Sequence, residues 1–304
     1  MQFITLDLMT NMLYDYLFPE YLYTIAHVIS TCVEFLKMVV YMAHKFVPMW
    51  ITPVYLLWTD PERTNRISIY YVEGNIGSGK STIVQRLHAL LTDIADVVPV
   101  TSSTNIVFLQ EPVDEWNTVR DKDSKTMLQK FYADQAAYAF PFQMMAYISR
   151  LHLMKTTISN MQQTETYMAH SRHIIIMERS LQTDRYVFAK MLYDAGDIED
   201  VNYQIYLKWF DKLNISEALQ KQSHTIYVKT SPEICHSRVA ARNRSGESTI
   251  QLSYLQSCGE YHEAMINAAM LSRNVIVING NCEITSEEYS QYLSMIGSYL
   301  MLLT

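Results

Sequence analysis

The chain has 304 residues, 49% hydrophobic and 18% charged, with a formal net charge of −7 at pH 7. That length supports a soluble core of one or two domains. The acidic balance argues against a nucleic-acid-binding surface, which needs basic patches. The cysteines Cys32, Cys235, Cys258 and Cys282 form no C-x-x-C pair and no zinc spacing, which fits a reduced, cytoplasmic-type compartment.

Residues 1–62 are rich in apolar and aromatic side chains and hold no arginine; the first is Arg63. Asp7, Asp15, Glu20, Glu34, Lys37 and Lys45 break the apolar runs. No run reaches the roughly 18 uncharged residues of a spanning helix. The stretch matches neither a secretory signal nor an arginine-rich transit peptide. Pro48, Pro53 and Pro61 would interrupt helices. The expectation is an N-terminal, mostly helical extension over 1–62, packed on the main domain or touching a membrane surface. A second domain follows over 63–304.

That domain opens on Ile67–Val72, a β-branched and aromatic run that reads as a buried strand. Gly74-Asn75-Ile76-Gly77-Ser78-Gly79-Lys80-Ser81 follows, which is G-x-x-x-x-G-K-[ST], with Thr82 next and a helical pattern beyond. Glycines let backbone N–H groups close around phosphates, and the helix start adds its positive end. Lys80 supplies a mobile charge and Ser81 a hydroxyl where Mg²⁺ between two phosphates would sit. A nucleoside triphosphate is the implied ligand.

Further apolar runs at Ile106–Leu109, His173–Met177, Thr225–Val228 and Val275–Ile278 alternate with helical patterns. This predicts a five-stranded parallel sheet covered on both faces, a P-loop α/β/α fold, with ligands beyond the strand ends. After the second run come Glu111 and Trp116. If the second strand neighbours the first, Glu111 faces the phosphate loop. There it is either the base for an attacking hydroxyl or a plain loop acid. A long helical region over about 124–163, with a break expected near Pro141, carries Gln143, Ala146 and Arg150 on one face, with Phe142 and Tyr132 close by. Glu178-Arg179-Ser180 and Asp184 follow the third run. They are either a metal-holding carboxylate beside a phosphate-bridging arginine or a structural ion pair. Arg238, Arg242 and Arg244 are either a solvated face or a lid over the phosphates. Thr285-Ser286-Glu287-Glu288 opens a terminal helix.

In combination, Glu73–Thr82, Glu111–Trp116, Pro141-Phe142-Gln143 with Arg150, Glu178–Ser180 with Asp184, and the arginine cluster resemble the animal-type deoxynucleoside kinases, which include deoxycytidine and deoxyguanosine kinases. The likeness runs from about Ile67 to Tyr261. It implies transfer of the γ-phosphate of ATP or another triphosphate, with Mg²⁺, to the 5′-hydroxyl of a deoxynucleoside, and a homodimer. By that resemblance Glu111 is the base and Arg179 steadies the hydroxyl and the phosphoryl group. Ser81 and Glu178 attend Mg²⁺. Gln143 meets the base edge, Trp116 and Phe142 wall the pocket, and Tyr132 with Glu247 hold the sugar 3′-hydroxyl. The pairing of Arg150 with Asp184 resembles the deoxycytidine and deoxyguanosine kinase pattern, which predicts those substrates over thymidine.

Gly246 stands where the family often has an acid, and residues 1–62 lie outside the family core. The extension and the divergent surroundings suggest a viral or fast-evolving copy, which would work in a host cytoplasm. The rival readings are a thymidine kinase-type enzyme, a nucleoside monophosphate kinase and a catalytically silent nucleotide-binding protein. A monophosphate kinase needs a cationic grip on its acceptor, whereas Gln143, Tyr132 and Glu247 suit an uncharged nucleoside. The retained Lys80, Glu111, Glu178 and Arg179 argue against a silent protein.

Overall fold

The computed structural model describes residues 66–97, 104–163, 172–244, 246–270 and 275–302; the expected extension over 1–62 lies outside them. All five expected strands form: β1 (Ile67–Glu73), β2 (Thr104–Leu109), β3 (Arg172–Glu178), β4 (Ser223–Lys229) and β5 (Val275–Asn279). They make one all-parallel sheet in the order β2-β3-β1-β4-β5.

The helices are, in chain order, α1 (Lys80–Val97), the short α2 (Val113–Trp116), α3 (Met127–Ala133), α4 (Gln135–Gln162) and α5 (Leu181–Thr183). A π-helical turn (Asp184–Ala189) carries α5 into α6 (Lys190–Asp194). Then come α7 (Asp200–Leu213), α8 (Glu217–Lys221), α9 (Pro232–Arg242), α10 (Leu252–Met270) and α11 (Glu287–Leu302).

Strand position explains strand composition. β1 and β3 have neighbours on both sides and helices on both faces, so nearly every residue is buried and the sequence reads as a continuous apolar run. The edge strands β2 and β5 are mostly half-buried or exposed. Side chains alternate between faces. Ile67, Ile69 and Tyr71 meet Tyr147, Leu151 and Met154 of α4 and Tyr206 and Phe210 of α7. Tyr70 and Val72 meet Ile83, Val84 and Leu87 of α1 and Ile296 and Leu300 of α11. Each face therefore has its own core, and the sheet edge between them stays free for a site.

Two local expectations shift. The long helical region breaks at Asp134, not at Pro141. Asp134 leaves helical geometry (φ −151°, ψ 88°), and its carboxylate accepts the Ala137 N–H at 3.1 Å, capping a fresh helix. Pro141 lies in the second turn of α4, where it forfeits a single hydrogen bond and the helix runs across it. The cap of α11 is Ser286, whose hydroxyl accepts the Tyr289 N–H at 3.1 Å, one residue later than the capping pattern read from Thr285.

Candidate active site

The turn after β1 sets the geometry. Gly74 and Gly77 take φ of +145° and +77°. A Cβ on either would fall 2.6 Å from the Val228 carbonyl oxygen or 2.5 Å from that of Cys235, so backbone contact as well as φ demands glycine. Asn75 locks the loop to α10 by donating to the Leu255 carbonyl at 2.7 Å, while its Oδ1 accepts the Ile76 N–H at 2.8 Å. α1 starts at Lys80, so its unpaired N–H groups face the cleft, which suits an anion.

The cleft at the C-terminal ends of the strands has a volume of about 630 Å³, within the range of small-ligand sites. Every sequence-predicted site residue lines it except Gly74, Asn75 and Ser78, which are buried in the framework of the loop. Lys80 is buried and donates to the Asn75 carbonyl at 2.7 Å. Burial, reinforced by the charge of Arg179, lowers its pKa to about 8. The Ser81 hydroxyl donates to Glu178 Oε1 at 2.9 Å, bringing together two hard oxygen ligands beside the phosphate loop. Among the described residues no group of three His, Cys, Asp or Glu is placed to hold a metal ion. A divalent ion here would therefore take one or two protein oxygens plus phosphates and water, as Mg²⁺ does. The residues present fit that ion.

Glu111 is reached differently from the expectation. β3 lies between β2 and β1, so Glu111 is not beside the loop-bearing strand. Arginines bridge the gap. Glu111 Oε1 accepts from Arg150 Nη2 at 2.9 Å and lies 3.2 Å from Arg179 Nε. Burial resists ionisation of Glu111, but Arg179, Arg150 and then Lys80 outweigh it and hold its pKa at about 2. Arg150, itself 1% exposed, also donates from Nε to Asp184 Oδ2 at 2.9 Å and from Nη1 to the Glu178 carbonyl at 3.0 Å. The expected Arg150–Asp184 pair is thus present. Burial raises Asp184 to about 6, against the pull of Arg150.

Gln143 is 2% exposed, and its Oε1 has no hydrogen-bond partner among the described residues. Buried polar atoms are normally paired, so this one is set for a ligand. Around it, Phe142 stacks on Phe131 (centroids 4.7 Å) and meets Trp116 edge-on (5.5 Å), while Trp116 Nε1 donates to Ser149 at 2.8 Å. Glu247 is buried and binds Arg242 Nη2 (2.6 Å) and Arg244 Nη1 (3.2 Å). Its charge adds to burial in raising Tyr132. Arg238 donates to the Gly280 carbonyl at 2.8 Å and the Ser78 carbonyl at 3.2 Å, tying α9 to the loop.

The sequence reading missed several contributors. Phe131 and Phe188 line the cleft, the latter with Arg179 over its ring at 4.9 Å. Phe188 falls one helical turn after Asp184, and Phe131 adjoins Tyr132, so helical periodicity could have suggested both. Glu73 accepts the Ser180 N–H at 2.9 Å and the Thr183 hydroxyl, bracing the turn that carries Glu178 and Arg179. Arg179 itself has a left-handed backbone (φ 65°), held by its N–H donating to the Val72 carbonyl at 3.0 Å. No sequence signal marks that strain.

The arrangement offers a phosphate cradle with a buried lysine, a carboxylate between two arginines, and an aromatic slot ending in an unpaired amide oxygen. Residues 70–295 match the sequence profile of the deoxynucleoside kinase family. A probable deoxycytidine kinase of Fowlpox virus (strain NVSL) is 32% identical over 241 residues, covering 75% of this chain and 86% of the relative. Deoxycytidine kinase of Homo sapiens is 30% identical over 225 residues, 73% of this chain and 83% of the relative. Mitochondrial deoxyguanosine kinase of Xenopus laevis is 28% identical over 207 residues, 64% of this chain and 71% of the relative.

Proposed function

The chain belongs to the deoxynucleoside kinase family, and on that footing we propose that it moves the γ-phosphoryl group of ATP or a related triphosphate, with Mg²⁺, to the 5′-hydroxyl of deoxycytidine or a purine deoxynucleoside ahead of thymidine. The observation that carries the preference is the buried Arg150 bound to Asp184 at 2.9 Å, one face of α4 with the unpaired Gln143. An arginine crowds the space a thymine methyl needs, and the pair meets an amino-substituted base edge with polar groups. A pocket built on hydrogen bonds rejects ligands that leave them unpaired, by up to about 10⁴-fold.

In this reading the phosphate-loop amides and Lys80 grip the β- and γ-phosphates, which would draw the Lys80 ammonium away from the Asn75 carbonyl. Ser81 and Glu178 would hold Mg²⁺, which would supply neutralising charge when bound. Glu111, ionised at neutral pH, orients the 5′-hydroxyl and takes its proton as the oxygen attacks the γ-phosphorus; the bond to the β-phosphate oxygen breaks and the diphosphate leaves. Arg179 spans acceptor and phosphoryl group. Tyr132 and Glu247 meet the 3′-hydroxyl, and Arg238, Arg242 and Arg244 close over the phosphates.

Pairing as a homodimer is part of the proposal. It is supported by Ile148 of α4 and Val201, Ile205 and Trp209 of α7, apolar residues that are 39–56% exposed. The test of substrate class is competition among the four deoxynucleosides at equal concentration with ATP and Mg²⁺. Deoxycytidine or a purine deoxynucleoside should be phosphorylated first; a preference for thymidine would overturn the specificity reading.

A further inference from the structure

His262 of α10 is fully buried, 0% exposed, and lies outside every motif considered above. Its Nδ1 is 2.7 Å from the Cys258 carbonyl oxygen, which can only accept, so Nδ1 carries the proton. Its Nε2 is 3.3 Å from Arg179 Nη1, which can only donate, so Nε2 offers its lone pair. Partners on both sides thus dictate a neutral imidazole in one tautomer. Burial, with the Arg179 charge behind it, holds the ring well below the usual histidine range.

The consequence falls on Arg179. Its Nη1 has two hydrogens: one goes to the Gly74 carbonyl at 2.9 Å and the other faces His262. Because a guanidinium is planar, fixing Nη1 at two points fixes the whole group. Nε then lies against Glu111, and the Phe188 ring supports the face. Nη2 is left without a hydrogen bond among the described residues, in a side chain that lines the cleft. A second carboxylate in place of His262 would hold the arginine equally well but would quench its charge. A neutral acceptor orients it and leaves the charge for the phosphates.

We propose that His262 is a positioning residue for phosphoryl transfer, its Nε2 lone pair setting the plane of Arg179 so that Nη2 faces the transferring group. This rests on the role assigned to Arg179 above. His262→Asn keeps a donor for the Cys258 carbonyl but cannot reach Arg179; His262→Gln keeps an acceptor at the Nε2 position. Losing a hydrogen bond to a charged group that matters in the transition state should lower kcat about tenfold or more in His262→Asn, with KM for the deoxynucleoside changed less than about threefold. His262→Gln should stay within about threefold of wild type under the same energetics. In an Arg179→Lys background, His262→Asn should cost less than about twofold further, because the partner is gone.

A merely structural histidine predicts otherwise. His262→Asn and His262→Gln would then lower the thermal midpoint together, and the kcat loss would be the same in both backgrounds. Either that pattern or a near-wild-type kcat in His262→Asn would overturn the proposal. If His262→Asn does not fold, His262→Leu takes its place in the same cycle. Wild-type turnover and a large loss in Arg179→Lys are the controls. Failure of either counts against the kinase mechanism and not against the placement of His262.

Discussion

Replacing Glu111 by Gln preserves shape and one oxygen acceptor but removes the charge that faces two arginines. Arg150 Nη2 at 2.9 Å and Arg179 Nε at 3.2 Å both depend on Glu111 Oε1. The arginines are 1% and 3% exposed, so losing the carboxylate leaves buried positive charge underpaired. Breaking a fully buried pair costs about 3–5 kcal/mol. Here Glu111 is 18% exposed at a cleft wall and Asp184 still serves Arg150, so about 1–3 kcal/mol is expected. For a domain of this size that lowers the thermal midpoint by about 2–12 °C.

The kinetic loss should be far larger than the stability loss. Removing the proton acceptor should reduce kcat by about 10²–10⁴, with KM for the deoxynucleoside moving little. The assay is steady-state turnover with both substrates varied, alongside a thermal melt. With the Glu111 pKa held at about 2 by its arginines, wild-type activity should also show no loss of this base as pH falls from 7 to 5. A kcat within tenfold of wild type in a folded Glu111→Gln, or equal losses in kcat and affinity, would refute the role.

Lys80→Ala should abolish turnover with the fold unchanged. In the wild type, Lys80 titrates at about 8 and binds phosphate only when charged, so triphosphate affinity should be flat below that pH. Above it, affinity should fall by up to about tenfold per pH unit, because the bound state then takes up a proton the free enzyme has lost. Titration calorimetry from pH 7 to 9.5 reads this, and Lys80→Ala should show no such slope. Arg150→Met with Asp184→Ala should raise thymidine phosphorylation relative to the original substrate by about tenfold or more, and should lower turnover overall because Glu111 loses one of its arginines. An unchanged substrate ranking would sink the specificity argument. A chain starting at Glu62 should be soluble and active, measured by the same turnover assay; loss of folding would place residues 1–62 within the kinase core.

The parts legible in the sequence were those whose chemistry is local. The phosphate loop, the five strands and the single helical face of Gln143, Ala146 and Arg150 each follow from residues a few positions apart. The Arg150–Asp184 pair was also within reach, since each residue had a readable place at a helix face or a strand end. What could not be read joins distant segments. Glu73 supports the Ser180 turn across 107 residues, and His262 meets Arg179 across 83. Strand order is equally invisible locally: the sequence places Glu111 at the loop only on the condition that the second strand neighbours the first, and β3 in fact intervenes. The helix break is a lesser case: Pro141 marks the expected break, but the helix runs across it, and the break falls at Asp134, whose side chain caps the new helix.

The claim that this site acts on a nucleoside 5′-hydroxyl is tested most directly by following single-turnover product formation by ³¹P NMR. Enzyme and ATP with Mg²⁺ are mixed in one reaction with deoxycytidine and in another with deoxycytidine 5′-monophosphate. The site described here predicts the 5′-monophosphate from the nucleoside and no further phosphorylation of the monophosphate, because Gln143, Tyr132 and Glu247 suit an uncharged nucleoside and the Glu111 carboxylate already occupies the place against Arg150 and Arg179 where an acceptor phosphate would need cations. Faster transfer to the monophosphate, or ATP hydrolysis to ADP and phosphate with no phosphoryl group on the deoxycytidine acceptor in either reaction, would contradict it.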